Sequence, residues 1–178
     1  GNFMERRFSI ATVKKPVAGG PPEGRPFLRL ELEGVPGNLR FRVPPPPEAP
    51  LKLGSEWLSG DPVFDKAVEV GGDESRGRAI LTVEGRMMMM ALVAGGGYVM
   101  EGKLVQEYPA ERENPAQFQE ELKKMGELMK VLAAPVPALV ERLQSNLKEP
   151  FLAIRRDCLE ALVRLGGATP TAVAVLQI

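Results

Sequence analysis

Histidine is absent from the 178 residues, and this absence removes several kinds of chemistry at once. Histidine is the usual general base, the commonest zinc ligand and the side chain that titrates near physiological pH. Ser-His and Cys-His mechanisms are therefore excluded. The single cysteine, Cys158, has no partner for an internal disulfide. Because it lies in an apolar, helical stretch, we interpret it as a packing residue rather than a nucleophile.

Net charge and long apolar runs are missing as well. The chain has 23 Lys plus Arg and 23 Asp plus Glu, so it lacks the positive field that draws proteins to nucleic acid. No stretch approaches the roughly 20 apolar residues that span a bilayer, and no apolar signal core opens the sequence. We expect a soluble, cytoplasmic segment that has no cofactor and contacts neither nucleic acid nor membrane. The start Gly1-Asn2-Phe3, with Met4 arriving late, predicts a fragment of a larger protein.

Ordinary contents of hydrophobic (44%) and charged (26%) residues predict a real core, and the first half of the chain alternates apolar and polar residues as strands do. Residues 6–12 predict an edge strand, followed by a Gly/Pro-rich connector. Residues 27–33 predict a strand with its leucines on one face. Turn residues at 34–38 predict a hairpin to a strand over 39–43. Cross-strand ion pairs are then expected between Arg40 or Arg42 and Glu31 or Glu33.

Short elements are predicted between residues 51 and 108. Strands are expected at 51–53 and 67–70, separated by a turn at Ser59-Gly60-Asp61-Pro62. Asp73 and Thr82 are suitable N-caps, so a short helix is expected after Asp73 and a second helix from Thr82 to the stop at Gly95-Gly96-Gly97. Residues 98–108 predict a hairpin around the two-residue turn Glu101-Gly102.

Everything after residue 110 reads as helical. Asn114 resembles the start of a capping box, and apolar residues then recur every three or four positions. A second amphipathic helix is expected near residues 139–147, a third from 150 to 165, and a last one from Thr169. The fold class is therefore α+β, with an antiparallel sheet covered by amphipathic helices. The expected units are an N-terminal strand and connector (1–26), an α+β domain (27–134) and a helical tail (135–178).

Three features could carry chemistry or binding, and each has a structural interpretation that we favour. The acidic residues Asp61, Asp65, Asp73 and Glu74 fit no calcium loop and sit where turn and cap residues belong. Gly95-Gly96-Gly97 follows a helix, whereas phosphate loops precede one. Prolines 44–47 favour an extended loop over a polyproline ligand.

Four consecutive methionines, Met87 to Met90, are harder to place. Consecutive helical residues point about 100 degrees apart, so one helix face cannot bury all four. We expect one or two to be exposed, and adaptable methionine side chains are used both in cores and at promiscuous binding surfaces.

The block Ser59-Gly60-Asp61-Pro62-Val63-Phe64-Asp65, with the valine segment and hairpin after it, resembles uncharacterised bacterial domains that contain a GDPxFD block. That family implies an α+β domain over residues 27–132 and offers no catalytic residues to carry over. Residues 150–165 resemble the first helix of a HEAT-type repeat, and Thr169 would begin the second. An ordinary helical hairpin is the alternative. One repeat leaves an apolar face that must pack on the preceding domain, a second chain or further repeats.

These features predict a non-enzymatic interaction or scaffold domain that binds a protein partner or itself. The candidate surface comprises Met87, Met88, Met89, Met90, Leu152, Arg155, Arg156, Val173 and Leu176. The alternative is a small-molecule or lipid-binding regulatory module with a pocket between the sheet and the helix over 114–132. An enzyme that uses Asp61 and Asp65 is the third hypothesis.

Overall fold

A computed structural model describes residues 1–3, 5–16, 24–44, 56–110 and 115–165. The strands in these residues are β1 (Asn2–Phe3), β2 (Arg6–Lys15), β3 (Arg25–Glu33), β4 (Arg40–Arg42), β5 (Glu56–Trp57), β6 (Glu69–Gly71), β7 (Tyr98–Met100) and β8 (Lys103–Pro109). The helices are α1 (Pro62–Ala67), α2 (Glu74–Ile80), α3 (Val83–Ala94), α4 (Pro115–Leu132), α5 (Val136–Asn146) and α6 (Leu152–Arg164). The predicted α+β class is confirmed. None of the helices in the described residues combines the length and the apolar character that a membrane-spanning segment requires.

The strands form one antiparallel sheet in the order β1-β2-β3-β8-β7-β4-β6-β5. Seven of them, β2 to β8, make the main sheet, and β1 adds two residues against the beginning of β2. The predicted strand at 6–12 is present but runs on to Lys15. The expected strand at 51–53, the capping box at Asn114 and the helix from Thr169 lie outside the described residues.

The predicted hairpin between β3 and β4 is wrong. The β7–β8 hairpin lies between these two strands, so β3 pairs with β8 and β4 pairs with β7. The connection after β3 passes over the tip of that hairpin, where the N–H groups of Gly34 and Val35 both donate to the carbonyl of Gly102. The expected cross-strand ion pairs are wrong for the same reason. Arg42 pairs instead with Glu69 on β6, and Lys103 on β8 pairs with Glu31.

The β7–β8 hairpin itself is confirmed. Glu101 and Gly102 have φ values of 53° and 75°, as the two central residues of a type I′ turn require. Met100 pairs with Lys103 next to the turn, and Val99 pairs with Leu104 one position further, where both side chains are fully buried. The local turn signal therefore predicted this pairing without knowledge of the rest of the fold.

One face of the sheet forms the floor of the core. Alternating residues of neighbouring strands point to this face and are buried: Leu30, Leu32, Phe41, Val70, Val99 and Leu104. Helix α4 packs against β8, α3 against β4, and α1 and α2 against β6, and Met125, Leu128, Met129 and Leu132 of α4 belong to the same buried cluster as these sheet residues. Fully burying a side chain of this size contributes about 1.5–3 kcal/mol. The opposite face carries charged ladders such as Arg29–Glu107 and Lys103–Glu31.

The region before α2 differs from the prediction. The strand expected at 67–70 is present as β6, but it begins at Glu69, because α1 occupies Pro62–Ala67. The sequence did not predict α1, since a helix of six residues is too short to show a 3.6-residue period. The caps of the next two helices are confirmed. Asp73 accepts from the N–H of Arg76, and Thr82 accepts from the N–H of Gly85.

Helices α5 and α6 pack on α2 and on each other. Leu139 and Leu143 of α5 and Ile154, Cys158 and Leu162 of α6 are buried in the same cluster as the sheet residues. The apolar face of the helical tail was expected to pack on the preceding domain, on a second chain or on further repeats. In the structure, α5 and α6 pack on the preceding domain. The unit boundary at residue 135 remains a prediction, but the helices beyond it share one core with the sheet.

Candidate interaction surface

The four methionines of α3 divide as helical geometry requires. Met89 is completely buried, Met88 and Met90 are partly buried against the core, and Met87 is 62% exposed. The expectation that one or two would be exposed is confirmed. Assigning Met89 to an interaction surface is wrong, because its position on α3 points into the core. Met87 is the one methionine of the run that offers most of its side chain to a partner.

The predicted surface of α6 lies at the beginning of that helix. Leu152 is 71% exposed, and Arg155 and Arg156 are exposed as well. Arg156 is held by its neighbour Asp157, whose Oδ1 lies 3.0 Å from Nε. Val173 and Leu176 lie outside the described residues, as does the expected second helix of the HEAT-like repeat.

A buried arginine joins α1, α3 and the α5–α6 connection. Arg86 Nε lies 3.1 Å from Asp61 Oδ2, and Nη2 lies 3.1 Å from Glu149 Oε2. Nη1 also donates to the carbonyl of Leu81 at 2.9 Å. Both Arg86 and Glu149 are more than nine-tenths buried. We call Asp61, Arg86 and Glu149 the polar junction. Because a buried charge is tolerated only when it is paired, this junction fixes the three segments relative to each other.

The GDPxFD block builds one side of the polar junction. Asp61 Oδ1 accepts from the N–H groups of Val63 and Phe64 and so caps α1, while Oδ2 is left for Arg86. Asp65 accepts from the N–H groups of Ser59 and Gly60 at 2.7 and 3.1 Å. Phe64 is completely buried. The preferred interpretation of these carboxylates as turn and cap residues is therefore confirmed.

The loop at Gly60 lies directly on α6. Gly60 has a φ of +90°, and a Cβ at this position would lie 3.2 Å from Ala153 Cβ and 3.3 Å from Ile154 Cγ1. A side chain here would therefore be strained in its backbone and crowded by the helix. The contact brings the beginning of α1 and the beginning of α6 to the same side of the molecule.

A second charged cluster surrounds Arg78, which is 8% exposed. Its guanidinium stacks over the ring of Trp57 at 4.8 Å and lies 2.9 Å from both Glu74 Oε1 and Asp157 Oδ2. Asn146, which is buried on α5, donates to the backbone carbonyl of Arg78. Burial alone would raise the pKa of Glu74, but hydrogen bonds from Arg164 and Arg78 outweigh it and the pKa is lowered. This cluster attaches α5 and α6 to α2 by polar contacts as well as by packing.

Cys158 lies in the same region of α6 and is 1% exposed. Burial raises the pKa of its thiol to about 11, and the hydrogen bond with Asn146 only partly opposes this effect. A thiol with such a pKa stays protonated near neutral pH, and a protonated thiol is a poor nucleophile. The structure thus agrees with the interpretation of Cys158 as a packing residue.

The acidic side chains do not converge. Over the described residues, no three histidine, cysteine, aspartate or glutamate side chains are grouped so that they could hold a metal ion. Asp73 caps α2, and Glu74 pairs with Arg78 and Arg164. Each carboxylate of the predicted acidic group therefore has its own structural partner.

Five exposed apolar side chains lie close in sequence to the residues that form the polar junction and the Gly60–Ala153 contact. Leu58, Val63, Met87, Phe151 and Leu152 are each 40–72% exposed. Each lies within two residues of a member of the junction or of the Gly60–Ala153 contact. We call these five residues the apolar rim. The sequence pointed to Met87 and Leu152 but missed the junction, since Arg86 and Glu149 look like ordinary surface charges. The signal that could have found Arg86 is its position as the one cation of α3, directly before eight consecutive apolar residues.

No protein-family model matches this sequence, and comparisons with curated proteins and with solved structures return no significant match. The resemblances to GDPxFD domains and to a HEAT-type repeat therefore remain predictions.

Proposed function

We propose that this chain is a non-enzymatic protein-interaction or scaffold domain and that it binds through the apolar rim. The observation that carries the proposal is the exposure of five large apolar side chains that lie within two residues of segments fixed by buried ion pairs and by the Gly60–Ala153 contact. Exposed apolar groups that gather at one place, next to charged residues, are typical of protein-binding surfaces.

The energetics of such a surface support this function. Transferring an exposed leucine or methionine side chain into an interface contributes about 1.5–3 kcal/mol, and a few such residues commonly supply most of the binding energy of a larger interface. The buried ion pairs below the rim reduce the loss of conformational freedom on binding, because the backbone that carries the rim is already fixed. Arg155 and Arg156 lie beside Leu152 and would form a charged border of the contact.

The test is a paired substitution in the rim. Met87→Glu combined with Leu152→Glu places two charges in the proposed contact, and Val136→Glu is the matched control. Val136 is also an exposed apolar residue, 46% exposed, but it begins α5 at the end remote from Glu149. We expect the wild type and the control to bind the same partner from a host lysate, or to self-associate in light scattering, and the double variant to lose that binding. A monomeric wild type that binds nothing, or a double variant that binds as well as the control, would contradict the proposal.

A second candidate function is small-molecule binding, and one cavity favours it. A cavity of about 250 Å³ lies between β3 and the end of α4 and is lined by Arg6, Leu32, Gly126, Met129, Lys130 and Ala133, among others. A ligand pocket between the sheet and the helix over 114–132 is what this alternative function requires. Ligand sites for drug-sized molecules usually measure about 300–1,000 Å³, so this one suits a small ligand.

Thermal-shift measurements with lipids and metabolites test this second function. A ligand present at about 100 times its Kd stabilises the folded state by about 2.7 kcal/mol. The variant Ala133→Leu narrows the cavity and should abolish the shift, whereas Met87→Glu should leave it unchanged. A ligand that raises the Tm of the wild type, Ala133→Leu and Met87→Glu equally would bind outside this cavity.

A further inference from the structure

The outer edge of β2 carries backbone groups that no described segment uses. β1 covers only the beginning of β2, where Asn2 lies opposite Arg7 and Phe3 lies opposite Arg6. From Ser9 to Lys15, the described residues provide a neighbour on the β3 side alone. Ser9, Ile10, Ala11, Thr12 and Lys14 are all exposed, and Ile10 is 50% exposed although its side chain lies on the core face.

The hydrogen bonds at the end of β1 show which residues face outward. Phe8 exchanges both backbone hydrogen bonds with Gly1, so its N–H and C=O groups point away from β3. Backbone groups in a strand alternate in direction, so those of Ile10, Thr12 and Lys14 also point outward. Pro26 agrees with this assignment: it has no N–H and lies opposite Lys14 on β3. Three consecutive outward residues therefore offer three donors and three acceptors to an added strand.

The charges near this edge determine what kind of strand fits. Lys14, Lys15 and Arg25 meet at the same end of the β2–β3 ribbon, and Arg29 lies next along β3. Glu107 pairs with Lys15 and Arg29, which leaves Lys14 and Arg25 without an ion pair among the described residues. Burial and the charge of Arg29 together lower the pKa of Lys15, as expected where cations are crowded. The end of the edge is therefore positively charged.

We propose that the open edge of β2 binds an extended acidic peptide segment of a partner protein as an additional antiparallel strand. The incoming strand hydrogen-bonds with Ile10, Thr12 and Lys14, places apolar side chains beside Ile10 and brings a carboxylate to Lys14. The first residues of this chain already pair with the same edge in this way. A second copy fits less well, because β2 has no carboxylate between Ser9 and Lys15 to offer to the cations. The inference rests on the proposed function as an interaction domain but uses a different surface from the apolar rim.

The probe is a fluorescently labelled, capped hexapeptide that begins with glutamate and continues with alternating threonine and valine. Its binding to the whole chain is measured by fluorescence anisotropy. Antiparallel pairing puts the glutamate opposite Lys14 and the valines opposite Thr12 and Ile10. We expect N-methylation of the two valines to weaken binding by about tenfold or more, since their N–H groups face β2. N-methylation of the threonines at the second and fourth positions should have much less effect, since those N–H groups face solvent.

Variants of the protein complete the test. Thr12→Pro removes an outward N–H without removing one from the β2–β3 ladder, so it should block binding while the Tm changes little. Thr12→Val is the matched control and should bind normally. Lys14→Glu should reverse the binding preference, so that this variant binds an otherwise identical peptide beginning with lysine more tightly than the glutamate peptide.

Several outcomes would overturn the proposal. The peptide results would do so if the wild type did not bind the glutamate peptide, or if N-methylation of the threonines weakened binding as much as N-methylation of the valines. The protein results would do so if Thr12→Pro bound the peptide normally, or if the wild type formed a dimer that Thr12→Pro abolished. The Met87→Glu and Leu152→Glu variant should bind the peptide as the wild type does. A chain that fails the peptide test and still loses its partner through that double variant would refute strand addition and leave the proposed function intact.

Discussion

Replacing Arg86 by methionine tests whether the polar junction holds the fold together. Methionine keeps most of the volume and apolar length of the side chain but removes the guanidinium. Glu149, which is 7% exposed, is then left buried without its ion pair, and the carbonyl of Leu81 loses a donor. Removing one partner of a buried ion pair costs about 3–5 kcal/mol. Domains have about 5–15 kcal/mol of stability in total, so the variant should be folded but strongly destabilised.

Urea denaturation followed by circular dichroism measures this loss. With an m-value of about 2 kcal/mol/M, a loss of 3–5 kcal/mol lowers the urea midpoint by about 1.5–2.5 M. Lys124→Met is the matched control, because Lys124 forms ion pairs with Glu120 and Glu121 at the surface of α4. Exposed pairs contribute little, so its midpoint should stay where the wild type has it.

The double variant Arg86→Met with Glu149→Met decides between the possible causes. If the cost of Arg86→Met comes from an unpaired buried carboxylate, removing that carboxylate should restore part of the stability. The double variant should then be more stable than Arg86→Met alone, even though Asp61 lacks its partner in both. A double variant that is less stable than the single one would refute the reasoning, because it would show that packing around the two side chains matters more than their charges.

Two further predictions concern α6. The substitution Leu162→Ala should cost about 2–5 kcal/mol of stability, because Leu162 is completely buried in the core shared with the sheet. The variant should keep a single unfolding transition in urea, and two separate transitions would contradict a shared core. The matched control Val163→Ala changes an exposed neighbour and should shift the urea midpoint little. The raised pKa of Cys158, about 11 in the folded state, contributes stability that is fully present below the ordinary thiol pKa near 9 and is lost as the pH rises toward 11. Urea midpoints measured across that range should therefore fall more for the wild type than for Cys158→Ala, and equal slopes would exclude a role for the thiol.

Elements whose signals are local could be predicted from the sequence. The caps of α2 and α3 and the β7–β8 hairpin were found because each depends on residues no more than about four positions apart. The residues that identified them are Asp73, Thr82 and the Glu101-Gly102 turn. The amphipathic stripes of α4 and α5 were found because their apolar period is long enough to recognise. The buried Leu139 and Leu143, for example, lie four residues apart.

Features that depend on distant residues could not be predicted. The turn residues at 34–38 are compatible with a tight hairpin, and nothing in them shows that a later hairpin occupies the space between β3 and β4. Arg86 and Glu149 meet across 63 residues of sequence, and each has the composition of a surface position. Of the candidate site, Met87 and Leu152 were found from their apolar character alone, while the junction that brings their neighbourhoods together was not.

The insertion of the β7–β8 hairpin also has a consequence for protein synthesis. Arg29 on β3 and Glu107 on β8 are direct partners across 78 residues of sequence, so the inner edge of β3 has no neighbour when it leaves the ribosome. At about 5–20 residues per second, that edge waits for about 4–16 s before β8 emerges. During this time the nascent chain presents unpaired strand backbone to other polypeptides, and chaperones that cover such edges would be needed most in this interval.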